Sequence, residues 1–288
     1  MHSADRNWSS LHVFTDVHMY SEEFDRLVLH VARPTVEALA SLGKPVPWFF
    51  VRYSSAGRHH LRLRVQHDEA LLESRIESFL REYISNTNRQ FGDLVSGFEW
   101  SLYEPEVQRY GGVHSLPYCE EFFAHSSESV SHILAALPRG SRPTRLGRGA
   151  LLALILVGLF YDRREIAAEW FRCYGRDMGL SGAVASEVVA RASSGSLADY
   201  LHEAWRYVRD GRSLGATYDQ YAEASGQLKA ACRRFWLQGT MPSNPSGRLG
   251  VWSLLAGQVH MTFNRMGISR DEEAYLAHVI SFALSEDR

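Results

Sequence analysis

The chain has 288 residues, a formal net charge of −2, 45% hydrophobic residues and 22% charged residues. This length suits one large domain or two tightly packed halves, and the apolar content excludes wholesale disorder. With a pI near 6.7, the chain has no net field to attract polyanions, so no direct contact with nucleic acid is expected.

The first 115 residues predict strands interleaved with helices. Alternating or short apolar segments predict strands, and segments of helical period predict helices. In chain order they are a strand at 11–17, a helix at 24–42, strands at 47–53 and 61–66, a helix at 68–84 and a strand at 98–104. The two central strands, joined by a loop that contains glycine, predict a hairpin. This order suits a small, mostly antiparallel sheet with helices on one face.

From about residue 115 onward the pattern is helical. The predicted helices are 117–137, 147–161, 163–178, 197–210, 217–237, 250–266 and 269–284, with a loop rich in Pro, Gly and Ser at 239–247. We therefore expect an α+β fold in which residues 1–288 form a single domain. Its parts would be a sheet with helices in 1–115 and a largely helical half in 116–288, packed into the same compact unit.

The longest apolar run, residues 149–161, has 13 residues, well short of the roughly 20 that cross a bilayer. We interpret it as a buried helix and expect no membrane association. The N-terminus has no signal-peptide pattern, and the three cysteines are widely spaced, so a cytoplasmic protein is expected. The Cys and His spacing predicts no metal site, and the chemistry considered below requires no cofactor.

Three segments carry residues suited to chemistry. In the first, the strand at 61–66 alternates strictly, so Arg62 and Arg64 emerge on one face, about 7 Å apart. Arg52 on the neighbouring strand would join them if the hairpin register places it on the same side. The arginines either belong to a solvated outer face or form a clamp for a carboxylate or phosphate, because guanidinium groups hold such anions bidentately.

The second segment, YEPEVQRYGG at 103–112, places Glu106 and Arg109 three residues apart, the spacing of neighbours on a helical turn. Pro105 and the Gly111–Gly112 pair favour a short turn that aims side chains. A plain turn with a surface ion pair is the alternative.

The third segment, VHMTFNRMG at 259–267, places His260 and Asn264 on one face of a helix. His260 is either a hydrogen-bonded core residue or an acid–base group, and it is the best acid–base candidate near the C-terminus.

Taken in order, the motifs resemble a known family. WFFVRY, GxHHLRLR, WxLxxYEPEVxRYGG and a helical half that ends in HMxxNRMG are similar to the C-terminal domain of lantibiotic dehydratases, which is also found alone in thiopeptide biosynthesis. The resemblance extends from about Leu11 to Leu284.

The resemblance implies a lyase that removes glutamate from a glutamylated Ser or Thr of a precursor peptide, leaving dehydroalanine or dehydrobutyrine. It implies two partners: the ribosomally made precursor peptide, with leader and core, and a separate tRNA-dependent glutamylating enzyme. The family's essential residues fall on Arg62, Arg64, Glu106, Arg109 and His260. We expect Arg62 and Arg64 to hold the glutamyl group, Arg109 to stabilise negative charge, Glu106 to orient an arginine and His260 to move the proton. Arg52 and Asn264 are further candidates for substrate contact.

Two other functions compete with this interpretation. The sequence also resembles the thiopeptide pyridine synthases, which are expected to have a similar fold. Those enzymes join two dehydroalanines by a formal [4+2] aza-cycloaddition, with release of the leader peptide. Those enzymes are expected to lack the elimination residues, which are present here. A noncatalytic module could instead bind the precursor peptide at an exposed sheet edge.

Overall fold

The computed structural model describes residues 8–41, 46–66, 69–179, 196–237 and 250–285. The fold is α+β, as predicted, with a four-stranded antiparallel sheet and a mostly helical C-terminal half. The chain forms two compact units, which are described separately. The sheet unit comprises Met1–Pro105 and Val130–Arg139, and the helical unit comprises Glu106–Ser129 and Gly140–Arg288.

The sheet has the strand order β2-β3-β1-β4, and every neighbouring pair is antiparallel. Its strands are β1 (Trp8–Thr15), β2 (Trp48–Ser55), β3 (Arg58–Gln66) and β4 (Gly97–Leu102). The predicted hairpin is confirmed, because β2 and β3 pair from Trp48 opposite Val65 to Ser55 opposite Arg58.

One face of the sheet forms the apolar core of this unit, because alternate residues of each strand point to the same side. Its fully buried members include Leu11, Val13, Phe50, Leu61 and Leu63. The helices of the unit are α1 (Asp25–Leu27), α2 (Arg33–Ser41) and α3 (Glu69–Phe91).

A π-helical segment, Val28–Ala32, joins α1 to α2 inside the region predicted as one helix. Pro34 explains the irregularity, since it has no N–H to donate to the carbonyl of His30. Thr87 Oγ1 on α3, which donates its proton to the carbonyl of Tyr83 at 2.9 Å, lies 3.5 Å from the His30 carbonyl. The interruption is therefore local, and the helical path continues on both sides of it.

The helical unit holds the remaining helices in the described part of the chain. They are α4 (Leu116–Ala136), whose last turns belong to the sheet unit, α5 (Arg142–Phe160), α6 (Arg164–Asp177), α7 (Ser196–Arg209), α8 (Ala216–Leu237), α9 (Gly250–Arg265) and α10 (Arg270–Ser285). The predicted loop at 239–247 lies outside the described residues.

Helix α5 contains the long apolar run and lies inside the helical unit. Every residue from Gly149 to Gly158 is buried. Two glycines allow this packing, since a Cβ on Gly149 would lie 2.3 Å from Ile268 and one on Gly158 would lie 2.9 Å from Trp205. Among the described helices, α5 alone is long and apolar enough to cross a membrane, and 61% of its most apolar window is buried. Its burial confirms the predicted core helix.

Candidate functional site

The segment from Glu106 to Ser115 folds as the predicted turn. The backbone N–H of Arg109 donates to the carbonyl of Glu106 at 3.0 Å, and that of Gly112 donates to Val107 at 2.9 Å. Gly111 and Gly112 have φ of +81° and +93°, a region that L side chains avoid. The Glu106 carboxylate accepts a hydrogen bond from Arg109 Nη1 at 3.0 Å. The turn therefore holds the Arg109 guanidinium beside Glu106, with both side chains accessible to solvent.

Arg109 and Tyr110 lie over Gly257 on α9. A Cβ built on Gly257 would lie 2.9 Å from Tyr110 Cε1 and 3.6 Å from Arg109 Nε. A larger residue would displace the turn, so the absence of a side chain permits this close approach. His260 follows Gly257 by three residues, about one helical turn. The turn that carries Arg109 is therefore held against the segment of α9 that carries His260.

His260 is paired with a buried carboxylate that the sequence did not identify. Its Nδ1 lies 3.0 Å from Glu273 Oε2 and 3.3 Å from Glu273 Oε1. The Glu273 side chain is 1% exposed, whereas that of His260 is 35% exposed. A carboxylate at Nδ1 orients the imidazole and directs Nε2 away from the pair. His260 is therefore a half-exposed imidazole with a buried acidic partner.

Glu273 has a second partner, Tyr174 on α6, whose hydroxyl donates a hydrogen bond to Oε1. Burial, and then the charge of Glu273, raise the pKa of Tyr174 well above its usual range, although Arg109 acts in the opposite direction. Tyr174 is therefore a protonated donor at neutral pH.

Burial would lower the pKa of Arg109. Tyr110 and Glu106 outweigh that effect, so the pKa of the guanidinium is raised. Arg109 is a permanent cation. Tyr174, Glu273 and His260 form a hydrogen-bonded cluster, and the turn that carries Arg109 packs against the same helix as His260, at Gly257. Such a cluster can move a proton at His260 Nε2 and stabilise negative charge at Arg109.

Asn264 lies one turn beyond His260 on α9, as the helical spacing predicted. The residue is 8% exposed. Asn264 is therefore more buried than His260, whose side chain is 35% exposed.

The sheet unit carries Arg62 and Arg64 on the face of β3 opposite the apolar core. Read across the sheet in register, this face holds three rows: Phe49, Arg64, Ser10 and Ser101; then Val51, Arg62, His12 and Glu99; then Tyr53, His60, Phe14 and Gly97. The prediction that the two arginines share a face is confirmed. We call this set of residues the arginine face.

The arginine face is not an ordinary solvated surface. Ser10, Phe49 and His60 are only 1–2% exposed. The Arg62 guanidinium stacks on Tyr53, with Cζ 3.4 Å from the ring centroid. Arg64 lies over Tyr103 at 4.9 Å. Aromatic supports of this kind fix the orientation of a guanidinium and partly shield it from water.

His12 lies beside Arg62 on this face and is held neutral. Burial, and then the charges of Arg62, His60 and Arg64, lower the pKa of His12 to about 4. An additional positive charge is therefore disfavoured here, whereas an anion is favoured. This electrostatic character suits the binding of a carboxylate.

Arg52 does not join the other two arginines. The register pairs it with Leu61, on the core side of the sheet. Arg52 is fully buried, donates from Nη2 to Asp25 Oδ1 at 2.6 Å and donates from Nη1 to the Met19 carbonyl at 3.1 Å. The condition for its proposed substrate contact, a shared face with Arg62, is therefore not met. Its role is to neutralise and anchor the start of α1.

The structure thus groups the predicted residues in two sets. Glu106, Arg109 and His260 belong to one cluster in the helical unit, and Arg62 and Arg64 share the arginine face of the sheet unit. The sequence missed Glu273 because an acidic residue in the first turn of a helix is an ordinary start signal. It missed Tyr174 because a buried tyrosine on an amphipathic helix resembles any core aromatic.

Comparison with known proteins assigns the family. A family model described as the C-terminal part of the lantibiotic biosynthesis dehydratase matches residues 8–284. The nisin biosynthesis protein NisB of Lactococcus lactis subsp. lactis is 25% identical over 240 residues, which are 81% of this chain and 21% of NisB. The chain therefore spans about a fifth of the length of that curated relative.

Solved structures share the fold. The tRNA-dependent lantibiotic dehydratase MibB of Microbispora sp. 107891 superposes with a TM-score of 0.70 and 21% identity, over 98% of this chain and 28% of MibB. The pyridine synthase TbtD from thiomuracin biosynthesis superposes with a TM-score of 0.70 and 15% identity, over 98% of both chains.

Proposed function

Because the chain belongs to the family of lantibiotic dehydratase C-terminal domains, we propose that it is a glutamate-elimination lyase acting on a precursor peptide. The proposal rests chiefly on the pairing of His260 with Glu273 next to the turn that carries Arg109. A half-exposed imidazole with a buried carboxylate partner, close to a permanent cation, is suited to removing a weakly acidic proton.

The reaction is a β-elimination from a glutamylated Ser or Thr residue. A base takes the Cα proton, the electrons of that C–H bond form the Cα–Cβ double bond, and the bond between Cβ and the ester oxygen breaks. Glutamate leaves as a carboxylate, and the peptide keeps a dehydroalanine or dehydrobutyrine. The step needs a base, stabilisation of charge on the peptide carbonyl and a cation for the leaving group.

Each requirement has a proposed residue. His260 accepts or relays the proton through Nε2, and Glu273 stabilises the imidazolium that forms. Arg109 stabilises developing negative charge, and Glu106 orients Arg109. Arg62 and Arg64 hold the glutamyl group, because two supported guanidinium groups on a face that disfavours positive charge suit a carboxylate.

Glutamate must be attached before it can be eliminated. The chain matches only 28% of MibB, whose description includes dependence on tRNA. We propose that glutamylation is supplied by a tRNA-dependent activity outside these 288 residues. The precursor peptide is then the shared substrate of both activities.

A second candidate function is pyridine formation by a formal [4+2] aza-cycloaddition. The observation in its favour is the match to TbtD over 98% of both chains. The cluster around His260 counts against it, since a buried acidic partner for an imidazole suits proton abstraction.

Mass spectrometry of two substrates, each incubated with this protein, separates the candidates. A glutamylated precursor peptide should lose glutamic acid, and Arg62→Ala or Arg64→Ala should leave it glutamylated. A dehydrated, thiazole-containing peptide should remain unchanged. Cyclisation of the second peptide with leader release, and no change in the first, would identify a pyridine synthase instead. Binding of either peptide without conversion would indicate a noncatalytic module.

A further inference from the structure

The guanidinium of Arg62 is held from two directions by neighbours on the arginine face. The Tyr53 ring lies against its flat face, with Arg62 Cζ 3.4 Å from the centroid. The Nε–H of Arg62 donates a hydrogen bond to Nε2 of His60 at 3.1 Å. Tyr53 and His60 are themselves register partners on β2 and β3, and their ring centroids lie 5.3 Å apart. The two rings therefore form one bracket around the guanidinium.

The hydrogen bond fixes the protonation state of His60. A guanidinium can only donate, so Nε2 of His60 must be the acceptor and the ring proton must reside on Nδ1. Burial, and then the charge of Arg62, lower the pKa of His60 below its usual range, although the backbone carbonyl of Arg58 acts in the opposite direction. His60 is therefore a neutral acceptor dedicated to Arg62.

This arrangement determines which edge of Arg62 is available to a ligand. A guanidinium meets a carboxylate either side-on, through Nε and one Nη, or end-on, through Nη1 and Nη2. His60 engages the Nε–H of Arg62, and Tyr53 covers one flat face of its guanidinium. The edge formed by Nη1 and Nη2 therefore remains available for end-on binding of a carboxylate. Lysine could not reproduce this geometry, because its ammonium has no fixed edge.

We propose that His60 is a positioning residue, which fixes Arg62 so that its Nη1 and Nη2 edge receives the substrate carboxylate. The identity of that carboxylate as the glutamyl group rests on the proposed function above. The positioning itself depends only on the contact between Arg62 and His60. Two readouts keep these claims separate.

The first readout is independent of catalysis. In full-length protein labelled with nitrogen-15, the Arg62 Nε–H resonance, assigned by its loss in Arg62→Lys, should be protected from exchange with water. His60→Leu should abolish this protection, because the acceptor is gone. His60→Gln should retain it, since the glutamine Oε1 reaches about as far as Nε2 of histidine. Equal protection in wild type and His60→Leu would overturn the proposal, whatever reaction the protein performs.

The second readout is steady-state elimination from a glutamylated peptide. His60→Leu should raise KM about tenfold with a much smaller change in kcat, the effect of losing one charge-assisted hydrogen bond, and His60→Gln should recover most of the loss. The matched control is His59→Leu, because His59 points to the other side of β3, where its ring meets that of His18 edge-to-face with centroids 4.8 Å apart. An unchanged KM in His60→Leu, or an equal rise in His59→Leu, would overturn the role in substrate binding.

Wild-type protein that protects the resonance but releases no glutamate would refute the lyase assignment and leave the positioning intact.

Discussion

His260 Nδ1 lies 3.0 Å from Oε2 of Glu273, and the two residues belong to successive helices, α9 and α10. The carboxylate is buried and also accepts a hydrogen bond from Tyr174. A carboxylate in this position can stabilise the imidazolium that forms when His260 accepts a proton. In the proposed elimination this pair supplies the base. Its test is a substitution that keeps the shape of Glu273 and removes its charge.

Glu273→Gln should lower kcat for elimination about a hundredfold and leave KM within a factor of about two, since only the charge behind His260 is lost. The matched control is Asp271→Asn, an exposed acid in the same helical turn, which should retain wild-type kcat. Steady-state kinetics with a glutamylated peptide measures both constants. A Glu273→Gln enzyme with unchanged kcat would show that the pair has no part in proton transfer.

Arg52 should behave as a structural residue, in contrast to Arg62. Arg52→Ala removes the guanidinium that pairs with the buried Asp25 carboxylate at 2.6 Å, and we expect a loss of about 3–5 kcal/mol in the free energy of unfolding. Arg62→Ala, from a half-buried position, should cost less than about 1 kcal/mol. Urea denaturation of both variants compares them directly. Similar losses would mean that Arg62 also supports the fold.

Gly257→Ala should impair catalysis through the turn that carries Arg109. A Cβ at this position lies 2.9 Å from Tyr110 Cε1, so Tyr110 and Arg109 must shift, and a shift of about 1 Å can reduce kcat a hundredfold. The control is Gly226→Ala on α8, where a Cβ meets nothing within 4 Å. That variant should keep full activity and gain up to about 1 kcal/mol of stability. Full activity of Gly257→Ala would show that the close approach is unimportant.

Acid should destabilise the sheet unit through His12. Its pKa is about 4 in the folded chain and 6.5 for an unperturbed histidine. The unfolded state therefore binds this proton first as the pH falls. The stabilisation is fully present above pH 6.5, is lost progressively between pH 6.5 and 4, and amounts to at most about 3 kcal/mol.

His12→Gln removes this titration, so its stability should fall less steeply between pH 7 and pH 4.5 than that of wild type. Urea denaturation at both pH values gives the two slopes. Parallel slopes would show that His12 has an ordinary pKa.

The order and type of the elements followed from the sequence because the residue periods are clear. A strand with one buried face and one cationic face is predicted by the strict alternation of Leu61, Leu63 and Val65 with Arg62 and Arg64. The helical period of the second half likewise predicted every helix from α4 to α10, with each boundary within one residue apart from the start of α5.

Two helix boundaries were misplaced because polar residues there have tertiary partners. Helix α5 begins at Arg142 and not at residue 147, since Arg145 is buried and donates to the Met266 carbonyl at 2.8 Å. Helix α3 continues to Phe91 and not to residue 84. The Asn88 side chain there hydrogen-bonds to the backbone N–H and carbonyl of Val95, at 2.9 and 2.8 Å. These hydrogen-bond partners lie beyond the helix itself, so the local pattern of polar and apolar residues does not reveal them.

The candidate site was predictable where a motif carried it and not where packing created it. His260, Arg109 and Glu106 lie in recognisable motifs. Their partners Glu273 and Tyr174 come from other helices. The position of Arg52 on the core face of β2 depends on the hairpin register, which the sequence left open. The role of His60 depends on the same register, because Tyr53 lies directly opposite it.

The proposed glutamate elimination is tested most directly by the fate of a glutamylated serine peptide in a single turnover with excess protein. Elimination releases one glutamate for each peptide and leaves a product lighter by one water than the unmodified serine peptide. We predict this product with wild-type protein and unreacted ester with His260→Gln. Ester left intact by wild type, or a product with the mass of the unmodified serine peptide, would contradict the assignment of this chain as a glutamate-elimination lyase.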